Sequence, residues 1–288
     1  MATATVKPAR TLPLPRWSLG VLALVAVVVA EILVAIPSTN PTIFPYQQYG
    51  LLLHILLAFA LLFVAVYIQD WDMPLSLFLV ALSLAPLIRI FSLSMPRFWG
   101  TSAVDTLPWL AVVGIPLMTA AGAVAYVQRI SLRDLGLRLL TGRGAGIQIA
   151  IAATGVPLGF IEYTILREQA WIPSPTLEAV VLGGLVMFFA TGLAEEIIFR
   201  GIMLRRAIEI LGTNWGVLFV TCVFSAMHIF FRNLVDLAFV FCVGLLYAAF
   251  MVKTKNLWGA IGSHTLANVI LYLIAPFLLV HILPPLGP

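Results

Sequence analysis

The sequence predicts an all-α fold, a polytopic integral membrane bundle of eight or nine transmembrane helices. Three observations carry that expectation. Of the 288 residues, 62% are hydrophobic and only 10% charged, whereas soluble domains average about 25% charged. The mean hydropathy is +1.08, and the apolar residues fall into successive runs of the ~20 residues that cross a hydrocarbon layer. Most of the 16 lysines and arginines lie in short segments between those runs. A pI of 9.3 therefore reports membrane topology rather than a basic patch for nucleic acid. Nucleic acid is excluded as a partner, and the lipid bilayer is the expected surroundings.

Residues 1–16 read as a cytoplasmic N-terminal tail with Lys7, Arg10 and Arg16, and 17–288 as a single membrane domain. The first span runs from about Trp17 to Ile36. Its apolar run exceeds the ~7–15 residues of a signal peptide, and no clear small-residue cleavage site follows it. A proline-punctuated polar turn, Pro37 to Pro45, leads to a second span, Tyr49 to Ile68, which Asp70, Trp71 and Asp72 end. The third, fourth and fifth spans cover about Pro74–Leu93, Leu107–Val127 and Ala145–Leu166. Arg89 and Glu162 lie near enough to span ends to snorkel to the interface. Gly155 and Gly159 form a GxxxG pair, a sign of close helix packing. Ser131 to Leu140, among Arg129, Arg133, Arg138 and Arg143, reads as an amphipathic connector at the membrane surface.

The sixth span starts near Thr176 and runs toward Arg205 and Arg206; the seventh, eighth and ninth cover about Trp215–Phe231, Leu234–Val252 and Leu257–Val280. Cys222 and Cys242 lie inside spans, where a disulfide framework is implausible.

The sixth span holds the least expected residues, Glu195, Glu196 and Arg200. One ionisable side chain at a bilayer centre costs roughly 2.5–3.5 kcal/mol on insertion scales, so such groups are paired, interior and functional. Residues four apart share a helix face, so Glu196 pairs with Arg200 while Glu195, about 100° round, points elsewhere. Glu196 is thus expected to be structural and Glu195 to serve as a general base. The same rule joins Phe224 to His228 and His264 to Asn268. With a boundary at Arg205/Arg206 and a 1.5 Å rise, Glu195 lies about 15 Å deep, and Asn268 about 16 Å deep. His54 and His281, without such partners, read as core histidines.

Glu-Glu-x-x-Phe-Arg (195–200), Phe-x-x-x-His (224–228) and His-x-x-x-Asn (264–268), in that order on C-terminal helices, resemble the type II CAAX prenyl endopeptidase family, also called the CAAX protease and bacteriocin-processing enzyme family. The motifs cover about 75 residues and show no departure from the family pattern; the first five spans offer no motif to match. The resemblance implies an intramembrane endopeptidase with its catalytic core at about 176–282. In it Glu195 and His228 activate a water, His264 and Asn268 stabilise the oxyanion, and Glu196 and Arg200 support the site. The expected partner is a membrane-associated peptide or protein, and the expected location the cell membrane. A zinc site using His228, His264 and Glu195 is the alternative to a metal-free peptidase. Against it stand the absence of His-Glu-x-x-His, ligands drawn from three helices, and Asn268, a poor zinc ligand but a good oxyanion donor. Two rival classes are a non-proteolytic scaffold and a transporter using the buried groups as an ion relay, for which no inverted repeat is visible.

Twelve of the 16 bases fall at the N-terminus or after even-numbered spans, which places 129–143 and 253–255 in the cytoplasm. Single cysteines introduced at Arg133 and Lys253 are expected to resist membrane-impermeant thiol reagents in intact cells and to react once the membrane is opened. Labelling of Arg133→Cys from outside would invert the topology.

Overall fold

The computed structural model describes residues 15–37 and 45–283. Most of the expected N-terminal tail, the body of the turn between the first two spans, and residues 284–288 lie outside the described residues. Among the described residues all regular elements are helical, and nine helices are long and apolar enough to cross a membrane. They are α1 (Arg16–Ala35), α2 (Tyr46–Ile68), α3 (Met73–Ser94), α4 (Ala103–Val127), α5 (Gly142–Leu166), α6 (Leu177–Leu211), α7 (Thr213–Phe231), α8 (Leu234–Thr254) and α9 (Trp258–Leu279).

Helix α2 shows why the bundle belongs in lipid. Its buried stripe, Gly50, His54, Leu57, Leu61, Ala65 and Ile68, follows the helical repeat. The opposite stripe, Leu52, Leu56, Phe59, Phe63 and Val66, is just as apolar and is exposed. Water would penalise that face; hydrocarbon does not, and a helix satisfies its own backbone there.

Several spans are interrupted. Helix α3 breaks at Ser83, whose hydroxyl donates to the Val80 carbonyl at 2.8 Å. Helix α5 breaks at Thr154, which donates to the Ile151 carbonyl at 2.6 Å and meets the Ser263 hydroxyl of α9 at 2.9 Å. This contact lies beside the glycine pair. A Cβ at Gly155 or Gly159 would overlap the backbone of Ser263 or Ala267, so only glycine lets α5 approach α9 this closely. The pair thereby sets the distance between Glu162 on α5 and His264 on α9.

The Ser131–Leu140 stretch is a non-helical connector, with turns over 132–136 and irregular chain over 137–140. Leu135 is buried near Gly201 of α6, and the Gly136 carbonyl accepts from the Leu257 amide at 2.9 Å. Here Asp134 lies 3.5 Å from Arg205, and the Ser131 hydroxyl, with Arg205 and Arg138, holds its carboxyl below the usual range. Cys222 and Cys242 are free thiols, as expected.

Candidate active site

Helix α6 carries the two carboxylates on an irregular stretch. Phe188–Leu193 and Ile197–Met203 are π-helical, with Ala194–Glu196 between them. A π turn takes in an extra residue and so rotates the face on which later side chains lie; such segments concentrate at functional sites.

Glu196 is the junction of the site. It is fully buried, and its Oε1 accepts from Arg200 Nη1 at 2.9 Å and from His264 Nδ1 at 3.0 Å. Arg200 is equally buried, donates to the Gly244 carbonyl of α8 at 3.2 Å, and lies over the Phe224 ring at 4.2 Å. The expected Glu196–Arg200 pair is therefore present, and it reaches further than the sequence indicates. A carboxylate that accepts from Nδ1 fixes how the His264 ring sits and leaves Nε2 for the cavity, as a donor in the doubly protonated ring and an acceptor in the singly protonated one. Tyr247 closes the other side: its hydroxyl donates to Ser263 at 2.9 Å, and its ring centroid is 6.2 Å from that of His264.

His228 lies within α7 but past its α-helical part. Helical geometry ends at Ala226, and His228 follows in a turn before a short 3₁₀ segment, Ile229–Phe231. Its Nδ1 lies 2.9 Å from the Phe224 carbonyl. A carbonyl only accepts, so Nδ1 carries the proton and Nε2 holds the lone pair of the neutral ring. The Phe231 ring stacks on it at 6.0 Å. The expected Phe224–His228 relationship is thus a ring-to-backbone bond across a helix end.

His228, His264 and Asn268 line one cavity of about 40 Å³, together with Phe224, Tyr247 and Glu162. A water needs about 10–15 Å³ by this measure, so the cavity admits water but no peptide. Asn268 Nδ2 donates to Thr191 Oγ1 at 3.0 Å, and Thr191 donates to the Met187 carbonyl at 2.6 Å. Glu195 is half-buried, does not line this cavity, and has no hydrogen-bond partner among the described residues. Its charged neighbours are His264, Glu196, Arg200 and Arg89.

Among the described residues no three histidine, cysteine, aspartate or glutamate side chains gather as a metal site requires. Nδ1 of each cavity histidine is engaged and Nε2 is left over, an arrangement that metal-ligating histidines also have.

Three residues depart from their sequence reading. Glu162 does not reach an interface but faces the cavity from α5. Arg89 does not snorkel either: it is buried and bonded to Glu31 of α1 at 2.8 Å through both carboxylate oxygens. Behind them the buried His54 Nε2 lies 3.2 Å from Glu31, so His54 is a core residue as expected, whereas His281 is exposed after α9. Glu31 received no attention in the sequence, although a lone acid in an apolar span was a sufficient signal. Tyr247, Ser263 and Thr191 carried none, because such residues are common in spans.

Residues 177–270 match the family described as Rce1-like, type II CAAX prenyl endopeptidase Rce1-like. Over these residues, about a third of the chain, it is similar to that family. The match contains all six expected site residues and α6 to α9 as far as Ile270, but neither Glu162 nor Arg89. An uncharacterized 24.3 kDa protein of Escherichia coli is 29% identical over 142 residues, which cover 48% of this chain and 64% of that relative. No solved structure matches the chain.

Within the matched region, Glu196→Ala removes the shared acceptor of Arg200 and His264 and strands a buried guanidinium. The expected cost is about 3–5 kcal/mol. It is read as lowered abundance and melting temperature in detergent, against a smaller change for Glu195→Gln. Wild-type melting of Glu196→Ala would refute the buried pair.

Proposed function

We propose that the protein is an intramembrane endopeptidase of the Rce1-like type, cutting a membrane-associated peptide or protein with a water activated by Glu195 and His228. The observation that supports this most is the cavity in which His228, His264 and Asn268 meet, with His264 held by Glu196. In the reaction the water oxygen bonds to the scissile carbonyl carbon while its proton passes to the His228–Glu195 pair. The carbonyl oxygen becomes an oxyanion facing the Asn268 amide and His264 Nε2, which donates when that ring is doubly protonated, donors of the kind that lower such barriers. The C–N bond then breaks as the same proton reaches the leaving amine. Glu195 does not line the cavity, so this role requires its side chain to turn toward His228, as catalytic contacts often tighten only with substrate bound.

The peptide does not fit the inner cavity. Beside it lies a cleft of about 810 Å³ lined by Arg97, Arg167, Trp171, Phe230, Phe231 and Arg232, whose Phe231 wall also stacks on His228. This cleft is the proposed approach for substrate, on the face opposite the base-rich loops. With those loops in the cytoplasm of a bacterial-type cell membrane, substrate arrives from outside.

Glu195→Gln keeps shape and removes the base. General-base loss typically costs about 10²–10⁴-fold, so an uncleaved membrane peptide is expected to accumulate in cells carrying this variant; a membrane peptidome identical to wild type would overturn the peptidase reading. The chemistry assigned here calls for no metal. Purified active protein is expected to keep its cleavage rate after chelation, and stoichiometric zinc whose removal stops cleavage and whose return restores it would make His228, His264 and Glu195 ligands instead.

A further inference from the structure

His228 sits in α7 past its α-helical turns. The chain leaves helical geometry at Ala226, passes His228, makes one 3₁₀ turn and reaches Arg232 at φ 55°. Its ring direction therefore depends on what fixes this turn from outside, and one side chain does so on both flanks. Arg89 Nη2 donates to the Met227 carbonyl at 2.8 Å, one residue before His228, and the guanidinium lies 5.1 Å from the Phe230 ring centroid, two residues after it.

Arg89 is itself held. Its Nε and Nη2 donate to the two oxygens of Glu31 at 2.8 Å each, a bidentate fork that fixes the guanidinium plane. Glu31 is fully buried on α1, and His54 of α2 closes the pair from behind at 3.2 Å. Three helices outside the matched region thus converge on the backbone that carries His228.

We infer that Arg89, locked by Glu31, is a positioning residue for His228: it clamps the Met227–Phe230 turn so that the ring keeps Nδ1 on the Phe224 carbonyl and presents Nε2 to the cavity. The meaning of this for catalysis rests on the peptidase reading; the clamp itself does not. A guanidinium is required because a bidentate bond to a carboxylate and a bond to a carbonyl, made beside an aromatic ring, exceed what a lysine ammonium offers in that geometry.

The test reads the ring directly. Full-length protein carrying ¹⁵N-histidine in lipid nanodiscs, at mildly alkaline pH, yields ring-nitrogen signals assigned by His228→Gln and His264→Gln. In the wild type His228 is expected to show one protonated and one bare nitrogen. In Arg89→Lys, and in the doubly neutral Glu31→Gln/Arg89→Met, which leaves no stranded buried charge, its two signals are expected to converge as the tautomers exchange. Those of His264, anchored by Glu196, stay in place. An unchanged His228 pattern in either folded variant overturns the inference. So does an equal change at both histidines, or failure of both variants to fold, since each would assign Arg89 to the bundle as a whole. The readout involves no cleavage, so a negative Glu195→Gln experiment removes the peptidase reading and leaves this result standing.

Discussion

The structure around the site depends on one carboxylate oxygen. Glu196 Oε1, fully buried, accepts from Arg200 and from His264. An ion pair in such a place is rarely a net gain over apolar packing, but breaking it is severe because the remaining charge has nowhere to go. That asymmetry makes Glu196 a constraint on three helices at once. Through Arg200 it reaches the Gly244 carbonyl of α8, and through His264 it holds α9. The rings of Phe224 and Tyr247 beside the guanidinium, at 4.2 and 5.6 Å, supply attraction that needs no further charge.

A second buried pair, Glu31 with Arg89, performs the same service for the other side of the cavity. The two pairs differ in reach. Glu196 and Arg200 are neighbours on one helix and bind the site from within; Glu31 and Arg89 come from α1 and α3 and meet α7 at a carbonyl. Between them lie the two histidines, each with Nδ1 engaged and Nε2 left over. Groups held in advance cost nothing to organise when charge develops, which is the usual source of catalytic effect in a dry site. The close approach of α5 to α9 at Gly155 and Gly159 completes the enclosure by bringing Glu162 to the cavity.

What the sequence determined by itself was whatever depends on neighbours along the chain. The helices follow from apolar run length, and the Glu196–Arg200 pair follows from a four-residue spacing that a helix turns into adjacency. The GxxxG pair in α5 announced close packing for the same reason. The tertiary structure decided everything that depends on which faces meet. The π segments of α6 rotate its faces by an amount no 3.6-residue period anticipates, and the end of helical geometry at Ala226 moves His228 into a turn. Glu31 and Arg89 lie 58 residues apart, so only helix packing brings them together. Glu162 and Arg89 looked interfacial because depth along a helix is legible from residue count, whereas direction across the bundle is not: a charged side chain near a span end reaches water or turns inward to a partner according to the helices packed beside it.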